Sequence, residues 1–291
     1  MQILLTNDDG IFSPGLAAMA SALQKLGNVC IAAPATEQSG VGQSITFLNP
    51  VTVKRLIREE KFWGYAVTGS PVDCVKLGID KLSPVRPDLV VSGINNGLNT
   101  GANIIYSGTI AATLEASYQG ITSVAVSTQM IRDGNTNLFE SAAELALALI
   151  RKLLDRPESK GELFNINIPR VALEYKNDPK IVVTGMDTGV YWDRYEERTD
   201  PAGRVYYWLA GRPSFKDIQG EHDMGLVSQG AVTITPLDFN PTKRTLLKAM
   251  TTWDFSGPAA ADAASDSERT TQPDEANCEN KTFLNFRMVQ G

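Results

Sequence analysis

The feature of this sequence that most restricts its fold is an alternation of short apolar runs with segments of helical periodicity. The run QILLT (2–6) is followed by apolar residues at helical spacing from Leu16 to Leu26, closed by Gly27, and then by a second run, NVCIAA (28–33). Ser13 and Pro14 are suited to the N-cap and first position of the intervening helix. A β-α-β start predicts a parallel sheet with right-handed crossovers.

The same alternation continues to about residue 170. A capping box of Ser and Asp, with Pro at the first helical position, opens a helix at Ser70 that we expect to reach about Leu82. Two further helices are predicted, one near Gly108–Gln119 and one over Leu138–Leu154. The further strands are predicted at WGYAVTG (63–69), PDLVVSG (87–93), SVAVST (123–128) and LFNINIP (163–169).

The character of the chain changes after Arg170. KIVVTG (180–185), RVYYWLAG (204–211) and AVTITPL (231–237) read as strands separated by long loops with little helix. We therefore predict a domain over 1–170 and an extension over 171–255 that contains antiparallel hairpins. Residues 256–281 lack large apolar side chains and hold six acidic residues against two basic ones, so this segment is predicted to be disordered. Residues 282–291 are left without an assignment.

Composition and charge exclude several classes of function. The chain has 291 residues, 43% of them hydrophobic, and a net charge of −6, which argues against binding to a nucleic-acid duplex. The three cysteines are scattered and form no CxxC pair, as expected in a reducing compartment. The sequence shows neither a signal peptide nor an apolar run long enough for a membrane span. We expect a cytoplasmic protein that does not bind membranes.

Polar residues follow the predicted strands where ligands bind in an open parallel sheet. Asp8 and Asp9 follow the first strand, Ser39 lies in the loop after the second, and Asn95 and Asn96 follow PDLVVSG. An all-oxygen set without His or Cys suits Mg²⁺ or Mn²⁺, and such a cation would offset the repulsion between two adjacent carboxylates. The same aspartates are also common turn and capping residues, and Ser39 alone reads as a loop serine.

The segment YSGT (106–109) precedes a predicted helix. A helix start built from small residues presents free backbone N–H groups and a positive dipole end to an anion, although this segment by itself is better explained by an ordinary Ser or Thr N-cap. Because these features fall at one edge of one predicted sheet, together they suggest a phosphate site beside a metal. Such a pair is suited to the hydrolysis of a phosphomonoester by a water molecule that the metal activates.

Six blocks together resemble the SurE (survival protein E) family: ILLTNDDGIFSPGL, APATEQSG, VTGSPVDCV, DLVVSGINNGLNTG, YSGTIAATLEA and FNINIP. The resemblance implies a Rossmann-like three-layer α/β fold with a C-terminal extension used in dimer or tetramer assembly. It implies hydrolysis of nucleoside 5′-monophosphates, and leaves 3′-monophosphates and polyphosphate open as further substrates. One divalent cation per subunit would be held by Asp8, Asp9, Ser39 and Asn95, and the phosphate by Asn96, Ser107, Gly108 and Thr109. The catalytic residues would be Asp8, Asp9, Asn96 and Ser107.

Two other functions compete with this one. A regulatory module could bind a nucleotide through the same metal and phosphate site without turnover. A phosphatase of the haloacid dehalogenase type would need two aspartates separated by one residue, whereas Asp8 and Asp9 are adjacent. The chain also departs from the family pattern at His222–Asp223, where family members often carry Thr-Asp, and at its acidic tail. The sequence assigns no role to His222.

Overall fold

The order of the strands in the main sheet places a topological switch point beside the first strand. In a computed structural model, the structure describes residues 1–174, 179–189, 194–210, 218, 220–253 and 255. The main sheet of these residues has the order β3-β4-β2-β1-β5-β6-β7-β11-β8. The strands are β1 (Gln2–Thr6), β2 (Asn28–Pro34), β3 (Val53–Arg58), β4 (Lys61–Val67), β5 (Leu89–Asn96), β6 (Thr122–Thr128), β7 (Leu163–Ile168), β8 (Ile181–Val183), β9 (Arg194–Thr199), β10 (Val205–Ala210) and β11 (Val232–Leu237).

Strands β4, β2, β1, β5, β6 and β7 run parallel, whereas β3 and β11 are antiparallel to their neighbours β4 and β7. The chain moves outward from β1 through β2 and β4, and then returns to place β5 on the other side of β1. The crevice at the carboxyl ends of β1 and β5 is therefore where a sheet of this kind binds a ligand.

Four of the described helices cover the two faces of the sheet and give three layers. The described helices are α1 (Pro14–Leu23), α2 (Pro71–Leu77), α3 (Asn103–Tyr106), α4 (Gly108–Tyr118), α5 (Asn137–Leu154), α6 (Arg170–Glu174), α7 (Asp223–Ser228) and, in a second unit of the chain, α8 (Arg244–Met250). Helices α1 and α5 share a buried cluster with Ile3 and Leu5 of β1, while α2 and α4 pack with Leu4 on the opposite face. Because every residue of β1 is buried, its apolar run is continuous rather than alternating.

Serine side chains cap the starts of three of the described helices. Ser13 caps α1, Ser70 and Asp73 form the predicted capping box of α2, and Ser107 caps α4. The helix after Ser70 continues as predicted, but it changes to a π-helical turn over Gly78–Leu82. Helix α1 ends earlier than predicted, at Leu23. Gly27 does not close it but permits a close approach of the chain, since a Cβ there would clash with the carbonyl oxygen of Met1.

The region after Arg170 contributes to the main sheet and to a separate hairpin. β8 and β11 join the main sheet, and β9 pairs with β10 in an antiparallel hairpin, so the predicted hairpin character is confirmed. Strands β3 and β9 and the short helices α3, α6, α7 and α8 were not predicted. The chain divides into two units, Met1–Asn240 and Pro241–Gly291. The domain boundary at 170 stays a prediction, and the segments 256–281 and 282–291 lie outside the described residues.

Candidate active site

A cavity of about 690 Å³ opens at the carboxyl ends of β1 and β5. Six of the eight residues that the sequence singled out line it: Asp8, Asp9, Ser39, Asn95, Asn96 and Ser107. The other two, Gly108 and Thr109, form the start of α4 directly behind Asp8. Residues separated by up to about a hundred positions in the chain are thus brought to one edge of the sheet.

The loop between β1 and α1 holds the two aspartates in a fixed conformation. The side-chain amide of Asn7 donates to the Gly10 carbonyl at 3.0 Å and to the Ser13 hydroxyl at 2.7 Å. Gly10 has a φ of +95°, which favours glycine at this turn. The backbone N–H of Gln38 donates to the Asp8 carbonyl at 2.7 Å and ties the loop after β2 to this turn. The carboxylates therefore project from a braced loop.

The two carboxylates lie in an environment that disfavours their negative charge. Asp8 is only 4% exposed, and burial raises the pKa of its carboxyl despite a hydrogen bond from Thr109. Burial, and then the charge of Asp8, raises the pKa of Asp9 to about 6. The backbone N–H of Asn96 donates to Asp9 Oδ2 at 3.1 Å. A bound cation would reverse this penalty, because an opposite charge favours the ionised form.

The start of α4 approaches Asp8 unusually closely. Thr109 Oγ1 donates to Asp8 Oδ1 at 2.5 Å, so the proton of this hydroxyl is used in a hydrogen bond to the carboxylate. A Cβ on Gly108 would lie 2.8 Å from the Asp8 Cβ, so this contact requires glycine. The Ser107 hydroxyl accepts from the Ile110 N–H at 3.2 Å and keeps its own proton to donate. This helix start can thus present both a hydroxyl and backbone N–H groups to an anion.

The three remaining residues of the predicted set differ in their hydrogen bonds. Asn95 Nδ2 donates to the Gly97 carbonyl at 2.7 Å, which leaves the amide oxygen for another partner. Asn96 Oδ1 accepts from the Ile131 N–H at 2.8 Å, so this side chain holds the loop after β6. Ser39 is exposed, and its hydroxyl donates to Glu37 at 2.6 Å. The predicted roles of these residues as ligands stay predictions.

Sequence reasoning missed Glu37, a third carboxylate at the cavity. Its charge contributes to the raised pKa values of Asp8 and Asp9. It lies in the quoted APATEQSG block, but an acidic residue in a polar loop gives no sign in the sequence that it faces the strand ends. Its bond to Ser39 and its place beside the aspartates make it part of the site.

A buried polar network that was also missed anchors the loop after β5. The backbone N–H of Asn99 donates to Asn167 at 2.8 Å, and the side-chain amides of Asn165 and Asn167 donate to the Asn99 carbonyl. Asp223 accepts from the backbone N–H of Gly101 at 3.0 Å and from that of Asp187 at 2.8 Å. The signal available in the sequence was two asparagines at alternate positions of the apolar strand LFNINI.

The charged side chains that line the cavity are all acidic. Among the described residues that line it, three are acidic and none is Lys, Arg or His. Within the described part of the chain, no group of three or more His, Cys, Asp or Glu side chains is arranged to hold a metal. The atoms available to bind a cation are therefore the carboxylate oxygens of Asp8 and Asp9, supplemented by the amide oxygen of Asn95 and the hydroxyl oxygen of Ser39. This composition fits Mg²⁺, which binds through one or two carboxylates and keeps several waters.

Comparison with known proteins identifies the relatives of this chain. The family model described as Survival protein SurE matches residues 3–192, which contain every residue that lines the cavity. The chain belongs to the SurE family. A protein named 5′-nucleotidase SurE from Rhodopirellula baltica is 48% identical over 256 residues, which are 88% of this chain and 99% of that protein.

Two further SurE relatives agree with this assignment. The 5′-nucleotidase SurE of Geobacter sulfurreducens is 39% identical over 88% of this chain and 95% of its own. The crystal structure of the SurE protein from Aquifex aeolicus aligns with a TM-score of 0.73 at 37% identity, covering 86% of this chain and 98% of that one. The predicted family and the predicted three-layer α/β fold are both confirmed. Among the described residues, no helix has the length and apolarity that a membrane span requires.

Proposed function

We propose that this protein is a 5′-nucleotidase that removes phosphate from nucleoside 5′-monophosphates and requires one divalent cation per subunit, Mg²⁺ or Mn²⁺. Membership of the SurE family and the names of its relatives support the reaction class. Activity toward 3′-monophosphates or polyphosphate would be an extension of the same chemistry.

The observation that carries the cation requirement is the charge of the cavity. Asp8, Asp9 and Glu37 face it, and no basic side chain lines it among the described residues. A phosphate dianion would be repelled from such a cavity, because the start of α4 supplies only about half a positive charge. A divalent cation on Asp8, Asp9, Asn95 and Ser39 would supply the missing charge. When bound, it would polarise a phosphoryl oxygen and lower the pKa of a water molecule that attacks phosphorus.

Other residues of the site would bind the phosphate or hold the site in its conformation. The Ser107 hydroxyl and the first N–H groups of α4 would hold the phosphoryl oxygens, with Gly108 permitting the close approach to Asp8. Thr109 would contribute its backbone, since its hydroxyl is bonded to Asp8. Asn96 would hold Asp9 through its backbone N–H and the loop that contains Ile131 through its side chain. These fixed donors would stabilise charge on the phosphoryl group as it is transferred.

The state of assembly is also a proposal. The β9–β10 hairpin exposes Tyr195, Tyr207 and Trp208 by 69%, 59% and 58%. A two-stranded hairpin with exposed aromatic residues is stable only when it packs against something else. We infer that it packs against a second copy of this chain in a homodimer or homotetramer. The cytoplasmic location stays a prediction.

The decisive experiment is an assay of the purified protein against a panel of nucleoside monophosphates, with and without EDTA. We expect phosphate release that EDTA abolishes and that Mg²⁺ or Mn²⁺ restores. The alternative, a nucleotide-binding regulatory module, predicts binding of a nucleoside monophosphate with the cation but no release of phosphate. Calorimetric titration of the same preparation separates these two results.

The role of Ser107 provides a sharper test. Loss of one donor to a developing oxyanion typically costs on the order of 3 kcal/mol in the barrier, so Ser107→Ala is expected to lower kcat by about a hundredfold and to change KM less. The variant also removes the N-cap of α4. Ser70→Ala is the matched control, because Ser70 is the N-cap of α2 and does not line the cavity. A change confined to KM would mean that Ser107 only binds the substrate.

A further inference from the structure

Phe12 is a large apolar side chain held in solvent at the edge of the candidate active site. It is 78% exposed, whereas its neighbour Ile11 is 1% exposed and occupies the core position. The Ile11 N–H donates to the Pro34 carbonyl at 2.9 Å, and Ser13 is fixed as the N-cap of α1. Because the residues on both sides are anchored, Phe12 cannot turn inward without breaking the loop that carries Asp8 and Asp9.

Phe12 lines a second cavity, which shares three of its lining residues with the candidate metal and phosphate site. This second cavity, of about 420 Å³, is lined by Phe12 together with Asp9, Glu37 and Asn96. The same three polar residues also line the larger cavity that holds Asp8 and Ser107. A ligand with its phosphate at the start of α4 could therefore extend past Asp9 to the ring of Phe12.

Phe12 is not an isolated apolar residue on the surface. It also lines two further cavities, of about 370 and 810 Å³, whose linings include Trp63. Phe62, which is 43% exposed, lines the larger of these. Single exposed apolar side chains need no explanation, but aromatic residues that line neighbouring cavities beside a candidate active site are suited to binding a flat apolar group.

We propose that Phe12 is the platform on which the nucleobase of the substrate stacks, an inference that rests on the proposed nucleotidase activity. A base presents a flat π-face to an aromatic ring whichever base it is, so a stacking platform binds all four with modest preference. The residues on both sides of Phe12 are anchored and its side chain has only two torsion angles, so little conformational entropy is lost when the base binds. The site would consequently select a nucleotide over a base-free phosphomonoester and discriminate weakly among bases.

Tyr106 is the competing platform, since it is 59% exposed and also lines the larger cavity. It directly precedes Ser107, the residue proposed to hold the phosphate. A ring in that place is suited to the phosphate and ribose end of the substrate. The base of a 5′-nucleotide lies at the opposite end of the ribose from the phosphate. Phe12 does not line the cavity that contains Ser107 but lines the second cavity, which shares Asp9 with it, and this favours Phe12.

The test compares kcat/KM for AMP and for ribose 5-phosphate, its base-free counterpart, with Mg²⁺ present. Phe12→Ala is expected to lower the ratio of AMP to ribose 5-phosphate about tenfold, within the range of losing one base–aromatic stack. Phe12→Trp is expected to keep or raise the ratio. Phe47→Ala is the matched control, because Phe47 is 84% exposed and lies outside the lining of these cavities; it should leave the ratio unchanged.

Two results would overturn the proposal. Equal losses with both substrates in Phe12→Ala would mean that the side chain supports the loop and does not contact the base. A lower ratio in Tyr106→Ala together with an unchanged ratio in Phe12→Ala would place the base on the other side of the site. Wild-type protein that hydrolyses ribose 5-phosphate but no nucleotide would refute the proposed nucleotidase function, a result distinct from both.

Discussion

At the residue scale, the adjacent carboxylates of Asp8 and Asp9 destabilise the cation-free protein. Burial raises both pKa values, that of Asp9 to about 6. We expect Asp8→Asn and Asp9→Asn each to abolish phosphate release and, in EDTA, to leave the melting temperature unchanged or to raise the stability by about 1–3 kcal/mol. Asn can still accept the hydrogen bond from Thr109 at position 8. Thermal denaturation with and without Mg²⁺ measures this, and full activity in either variant would contradict the metal site.

Gly108 provides a second prediction at this scale. A Cβ there would lie 2.8 Å from the Asp8 Cβ and 3.0 Å from Pro71, so Gly108→Ala should push α4 away from the carboxylate. We expect a destabilisation of about 1–3 kcal/mol and weaker stabilisation of the protein by Mg²⁺. Gly185→Ala is the control, since a Cβ at that position meets nothing within 4 Å. Equal effects of the two substitutions on melting temperature and Mg²⁺ response would disprove the steric explanation.

At the element scale, helix α7 is preceded by an N-cap residue whose side chain makes no capping hydrogen bond. His222 has the extended conformation of an N-cap, with φ −95° and ψ 173°, but its side chain makes no capping hydrogen bond. A threonine hydroxyl could accept from a backbone N–H of the first turn, so His222→Thr should stabilise the protein by about 0.5–1 kcal/mol. His222→Ala, which also cannot cap, should match the wild type. A loss of nucleotidase activity in either variant would instead show that His222 serves a catalytic site.

The elements also show how far the sequence could be interpreted. Some features could be predicted because they depend on local patterns and on one rule of sheet topology. They are the strand ends, the N-caps Ser13, Ser70 and Ser107, and the position of Asp8 and Asn95 at the same cavity. The bond from Gly101 to Asp223 could not, because it joins positions 122 residues apart and has no local pattern. Strand β9 was missed because RYEERT carries mostly charged residues, and its pairing with β10 decides its conformation.

At the scale of the whole molecule, the exposed surface of the hairpin predicts assembly. Trp208 on β10 is 58% exposed, and replacing it with a charge would place that charge in any interface the hairpin forms. We expect Trp208→Glu to lower the mass measured by light scattering after gel filtration, from a dimer or tetramer toward a smaller species, because desolvating an unpaired charge is costly. Val85→Glu is the matched control, since Val85 is 61% exposed but lies outside the hairpin. An unchanged mass for Trp208→Glu, or an equal decrease for Val85→Glu, would mean that the hairpin is not the surface through which the copies associate.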